Sequence, residues 1–209
     1  MHIVAVSSPD EMISVFLRAD LDSSEDKTTT LRKALSRRGV SAEVLDPVRD
    51  DQAGSSGSPA LRQSILMDCH GLTVAGLSLE TIAWSWAQLE DDDPLFLMNY
   101  WQFVEWTHGT LRPRDAIEGF TSNRHLASII ARITSGTTVP PCICVATDEG
   151  SPAVLLDGSG RATALANLGR YPTPIVLGIS PGVRSWNFYP ASVIAAERRD
   201  ERTGRGGLE

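Results

Sequence analysis

Two kinds of apolar spacing divide the chain. Short unbroken runs mark strands at Ile3-Val4-Ala5-Val6, Cys142-Ile143-Cys144-Val145-Ala146, Ala153-Val154-Leu155-Leu156 and Ile175-Val176-Leu177-Gly178-Ile179. Runs this brief, bounded by Pro, Gly and Asp, are too short for helices. Between the first run and the others the spacing becomes helical. Ser8-Pro9-Asp10-Glu11 combines an N-cap serine, a proline at the first helical position and acids in the first turn. Met12, Phe16 and Ala19, flanked by Ile13 and Leu17, supply the apolar face. Further helices are predicted over 31–38, closed by Gly39, and over 58–70, stopped by Gly71. Another is predicted over 78–90, with Ile82, Trp86 and Leu89 on one side. Residues 95–106 read as a helix whose Phe96, Tyr100, Trp101, Phe103 and Trp106 form an aromatic stripe, a core feature or the wall of a pocket. A short helix follows around 115–120, then one capped by Asn123 with Leu126, Ile129, Ile130 and Ile133 inward. Residues 40–45 read as extended.

The pattern has one compositional break, at 47–59, where Asp, Gly and Ser dominate. The segment before it is too small to fold alone, so it reads as a loop within one domain. The expected organisation is a single α+β domain over 1–199, with a helical insertion at about 58–135 and a disordered tail at 200–209. Asp91-Asp92-Asp93-Pro94 is a hard break and reads as a solvated helix terminus.

The candidate chemistry lies where the strand at 153–156 meets Asp157-Gly158-Ser159-Gly160-Arg161. Two glycines let the backbone reach positive φ and approach a ligand. From Arg161 the spacing of Ala162, Leu165, Ala166 and Leu168 is helical, and Gly169 is the stop. A strand, a glycine turn and a helix N-terminus aim free N–H groups and a positive dipole end at one point, which suits an anion and above all a phosphate. Arg161 adds a donor fork and is expected on the solvent side with only its stem buried. The structural alternative is an Asp-Gly turn of the kind found in any α/β protein.

Leu156-Asp157-Gly158-Ser159-Gly160-Arg161 followed by Ala-Thr-Ala-Leu resembles the Asp/Glu-Gly-His-x-Arg-x-x-Ala motif of the ParB/sulfiredoxin-like superfamily. The resemblance covers about 30 residues and extends loosely to the segments 10–17 and 109–112. It implies a small mixed sheet of ParB/sulfiredoxin type with a large helical portion in the first two-thirds of the chain. It also implies a loop that cradles nucleotide or phosphoryl oxygens, as in CTP-binding partition proteins and a free-serine kinase. Gly158, Ser159, Gly160, Arg161 and Thr163 are then the expected phosphate ligands, with Arg112 as a second anion ligand and a nucleoside di- or triphosphate with Mg²⁺ as cofactor. Asp157 and Glu11 are the carboxylate candidates for orienting or deprotonating an acceptor hydroxyl. Glu11 reads equally as a capping-box residue. Ser159 and Gly160 stand where relatives carry His or Cys, which sets aside sulfiredoxin-like sulfur chemistry.

Two functions follow as expectations: phosphoryl transfer to a small molecule (or nucleotide hydrolysis), and a non-catalytic nucleotide-binding module. Composition narrows the partners. A net charge of −7 over 209 residues opposes a nucleic-acid groove, which needs a basic stripe. No run approaches the length of a membrane span. Three cysteines in a chain of this length fit the reducing cytoplasm, and Cys142 and Cys144 read as small core residues rather than metal ligands. No metal-ligand set is legible. A homodimer is compatible with all of this.

Overall fold

The computed structural model describes residues 1–23, 25–46, 58–98, 113, 124–191 and 193–194. Its centre is a six-stranded mixed sheet of β1 (His2–Val6), β2 (Ala83–Leu89), β3 (Leu95–Phe96), β4 (Cys142–Ala146), β5 (Ala153–Asp157) and β6 (Thr173–Ile179). The strand order is β1-β2-β6-β4-β5-β3. β6 is parallel to β4 and β3 to β5; the other neighbours are antiparallel. The α-helices among the described residues are α1 (Pro9–Leu21), α2 (Glu25–Arg37), α3 (Pro59–Val74), α4 (Arg124–Thr134) and α5 (Ser159–Leu168). The fold is therefore of mixed α and β class.

β4 is apolar throughout, and β5 is apolar up to its last residue, Asp157, because both faces of these strands are covered. On one face, Ile143, Val145, Val154, Leu156 and Val176 join Met12, Phe16 and Leu17 of α1, Leu31 and Leu35 of α2, and Ile65 and Leu66 of α3. On the other, Cys142, Cys144, Leu155, Ile175 and Leu177 pack against Leu126 and Ile129 of α4 and Ala162 and Ala164 of α5. Cys142 and Cys144 are thus core residues, as the sequence suggested. No helix among the described residues is long and apolar enough to cross a membrane.

Several local expectations are corrected. The stretch 78–90 is a 3₁₀ turn, Leu79–Thr81, followed by strand β2. Ile82 and Trp86 are four apart, and four is a multiple of both the strand period and, nearly, the helix period. Leu89 breaks the tie: Trp84 and Trp86 belong to the α1–α3 side, Ala87 and Leu89 to the opposite side. Residues 95 and 96 form β3, parallel to β5, rather than a helix. The rest of the aromatic stretch lies outside the described residues, as do Arg112, the helix at 115–120, the Asn123 cap, the tail and residues 47–57 of the polar loop. The residues expected as extended before that loop hold a 3₁₀ turn, Ala42–Leu45. Asp91–Asp93 terminate no helix; Asp93 accepts from the Glu90 amide at 2.7 Å and pairs with the Met1 amine.

Two polar contacts tie α1 to α3. Near the helix starts, Arg62, fully buried, donates through Nε and Nη2 to Asp10 at 2.8 and 2.5 Å, and through Nη1 to the Val44 carbonyl at 3.0 Å. Toward the other end, His70 Nε2 and Asp20 Oδ2 share a hydrogen bond of 2.5 Å. α3 does not stop before Gly71 but continues to Val74 across a kink, with His70 at φ −133° and ψ 16°.

Gly178 in β6 shows how tightly the first face is packed. A Cβ there would lie 2.6 Å from Ile82 Cγ2 and 2.6 Å from the Trp84 ring. Gly178→Ala is expected to destabilise the protein by about 1–3 kcal/mol, the usual cost of overpacking. Chemical denaturation measures it; an unchanged midpoint would show that the Trp84 ring moves aside freely.

Candidate functional site

β5 ends at Asp157, and the chain turns at once into α5 through Gly158, the helix N-cap, at φ +96°. A side chain here is excluded twice over. The φ is left-handed, and a Cβ would come within 2.9 Å of both the Arg161 guanidinium and Cys142 Sγ. α5 consequently begins without a side-chain cap on its first amides. The helix starts at Ser159, two residues before the expected position, and Gly169 at φ +59° ends it as expected.

Arg161 does not face solvent. Its side chain is 11% exposed and folds back over the turn, donating from Nη2 to Asp157 Oδ2 at 2.7 Å and to the Pro141 carbonyl at 3.3 Å. Asp157 Oδ1 accepts from Lys27 Nζ at 3.1 Å, and Lys27 lies 3.8 Å from Asp20 Oδ1. Asp20 Oδ2 holds His70, whose ring packs on Phe16 with centroids 4.5 Å apart. One continuous chain of charged and polar groups results: Arg161, Asp157, Lys27, Asp20, His70. It draws on β5, α5, α2, α1 and α3, and Lys27, 43% exposed, is where it meets solvent.

The electrostatics follow from this enclosure. Burial acts to raise the pKa of Asp157. The charges of Lys27 and Arg161, and their hydrogen bonds, outweigh it and hold the carboxyl well below the usual carboxylate range. Asp157 raises the pKa of Lys27, against the effect of burial. Burial lowers and Asp157 raises that of Arg161, with a net increase. Burial pushes the Cys142 thiol up, and burial with the nearby Asp20 pushes Cys69 to about 11. These thiols are protonated at neutral pH and are poor nucleophiles.

Among the described residues, the buried side-chain nitrogens and oxygens that lack a hydrogen-bond partner are Asp20 Oδ1 and Arg161 Nε. Both belong to this cluster. A buried polar atom left unpaired is costly; Arg161 Nε lies beside Cys142, and Asp20 Oδ1 lies 3.8 Å from the Lys27 ammonium, short of a hydrogen bond.

The structure gathers Asp157, Gly158, Ser159, Gly160 and Arg161 at one point. Thr163 is fully buried, and its hydroxyl donates to the Ser159 carbonyl at 2.9 Å, so it points into its own helix. Glu11 is elsewhere: it accepts from Ser7 Oγ at 2.7 Å and Trp86 Nε1 at 3.1 Å, fastening the start of α1 to the sheet. It sits nine residues, about 13 Å along the helix axis, from Asp20. Sequence reasoning missed Asp20, Lys27 and His70. The available signal was a charged residue in an apolar register: Asp20 continues the stripe of Ile13, Phe16 and Leu17.

Comparison with known proteins returned no match, whether to a family model, a curated protein or a solved structure.

The pairing of Asp157 fixes a pH window. A depressed folded-state pKa gives stability that is present above the unfolded value, near 3.9, and is lost as pH falls below it. Asp157→Asn should therefore flatten the dependence of unfolding free energy on pH below about 4, relative to wild type. Arg161→Ala should cost about 3 kcal/mol at pH 7, the lower end for breaking a buried pair, because Lys27 remains. Parallel acid-side slopes for wild type and Asp157→Asn would remove Asp157 from the ion-pair account.

Proposed function

We propose that this chain binds a nucleoside di- or triphosphate at the β5–α5 turn and passes a phosphoryl group to a small molecule or to water. The observation that carries the reading is the uncapped start of α5 beside two cations, Arg161 and the half-exposed Lys27. A phosphate there caps the helix, gains the favourable end of its dipole, and meets Lys27 from the solvent side. In phosphoryl transfer the protein's part is positioning and charge stabilisation, and these groups supply both. The acceptor oxygen forms the new bond to phosphorus as the nucleotide oxygen departs, and the acceptor's proton passes to a phosphate oxygen or to solvent. Asp157 orients the acceptor hydroxyl rather than acting as a strong base, since a carboxyl held below its usual pKa range takes up a proton poorly. Glu11, committed to Ser7 and Trp86, has no part in this reading.

The ParB/sulfiredoxin-like motif supports the assignment, and the mixed sheet is compatible with it. A cytoplasmic setting fits the three unpaired cysteines. The net charge of −7 supports a small-molecule partner over nucleic acid. The firm pairing of Asp157 also favours a second reading, nucleotide binding without turnover in a regulatory or dimeric protein, because no strong base is supplied.

Thermal shift with ATP, ADP, CTP and GTP, followed by product analysis with amino acids and sugars, tests both. Lys27→Ala is expected to weaken nucleotide binding by about 1.5–3 kcal/mol, the range for hydrogen bonds to charged groups, or roughly tenfold to hundredfold. Nucleotide affinity unchanged in Lys27→Ala, or absent in wild type, would overturn the phosphate reading. Binding without product selects the second reading.

A further inference from the structure

The two buried carboxylates of the cluster are arranged alike. Each has one oxygen fastened by a fixed partner: Asp157 Oδ2 by Arg161 at 2.7 Å, and Asp20 Oδ2 by His70 at 2.5 Å. Each turns its other oxygen, Oδ1, toward the same ammonium, that of Lys27. The shared cation serves them unequally. At 3.1 Å from Asp157 it makes a hydrogen bond, while at 3.8 Å from Asp20 it does not, and Asp20 Oδ1 is left with no hydrogen-bond partner on a residue 1% exposed. A buried carboxylate oxygen in that condition is costly to maintain. A small ion of higher charge satisfies both oxygens better than a tethered ammonium.

We propose that Asp20 Oδ1 and Asp157 Oδ1 form the protein half of a site for a hard divalent cation, Mg²⁺ or Mn²⁺, which Lys27 covers in the absence of ligand. The inference rests on the phosphate reading, since a docked phosphate draws Lys27 away and contributes oxygens of its own. All the protein donors are carboxylate oxygens, which selects Mg²⁺ or Mn²⁺ over Zn²⁺ or Cu²⁺. Among the described residues no group of three or more His, Cys, Asp and Glu side chains is arranged to hold a metal. Two carboxylate oxygens make a half-site, completed by waters and phosphate oxygens in the way Mg²⁺ is usually held. The two oxygens are at most about 7 Å apart, which one cation spans with one direct and one water-mediated carboxylate. His70 and Arg161 then orient the ligating carboxylates from behind, the part played by outer-shell groups in metal sites.

Lys27 gives the proposal its sharpest test, because a covering ammonium competes with the metal. Mn²⁺ alone serves as the probe, its binding followed by electron paramagnetic resonance on the full chain. Lys27→Met should bind Mn²⁺ at least tenfold more tightly than wild type. Adding Asp20→Asn should reverse the gain by at least tenfold, with circular dichroism confirming that each protein is folded. Should the double variant unfold, the His70 ring resonances of Lys27→Met decide instead: bound Mn²⁺ should broaden them. Equal affinity in wild type and Lys27→Met, undiminished affinity in the folded double variant, or a sharp His70 signal with Mn²⁺ bound would each overturn the site. ADP binding measured without metal tests the phosphate reading separately. A wild type that ignores ADP while Lys27→Met takes up Mn²⁺ through Asp20 would sink that reading and leave the cation site standing.

Discussion

Asp157 stands at the end of a central strand, its carboxylate removed from water and held between Lys27 and Arg161. Burying one charge without partners would cost several kcal/mol, so both cations must be in place for β5 to end as it does. That requirement reaches far along the chain. It fixes the first turn of α2, 130 residues earlier in sequence, and makes Gly158 obligatory, because Arg161 has to fold back across the turn. It also brings in Asp20, whose charge is balanced through the same ammonium. The pairing of one carboxylate thus ties α2 and α5 to β5, and through Lys27 and Asp20 the polar chain reaches α1 and α3.

The parts of this arrangement that could be read from sequence are local. β4, β5 and β6 were legible because strands covered on both faces are apolar throughout, and such runs are hard to mistake when Pro and Gly bound them. The turn from Asp157 to Arg161 was legible as a turn because its glycines and the helical spacing that follows are local, although the helix starts two residues before the expected position. β2 was misread because residues four apart share a face in both regular structures. Asp20 carried a signal, an acid in the apolar register of its helix, but Lys27 and His70 were out of reach: a lysine in a helix of low apolar content and a histidine beside a glycine carry no local mark of a partner in this cluster. The direction of Arg161 was misjudged for a related reason. Nothing within its own turn shows that an acid four residues back is buried and needs it.

The same enclosure that orders the cluster restricts its chemistry. Thiols at 69 and 142 lie close to it, yet burial keeps them protonated. The charged groups divide into two layers of duty. Arg161 and His70 hold the outer oxygens of the two acids, and the inner oxygens meet at Lys27, the one member of the chain with broad access to solvent. Whatever ligand approaches has to negotiate with that ammonium first.

The double fastening of α1 to α3 has a consequence for how the site keeps its dimensions. Asp10 and Asp20 are ten residues apart on one helix, roughly 15 Å, and each is gripped from α3, by Arg62 and His70. Two pins along one rod fix its axial position as well as its direction. Sliding α1 by a single turn, about 5.4 Å, would break both pairs at once and leave Arg62 and Asp20 buried without them. The helix is therefore a gauge whose zero is set at the Arg62 end and whose reading is taken at Asp20. The two ends cannot be adjusted independently: a shift of the remote pair arrives at Lys27 and Asp157 undiminished.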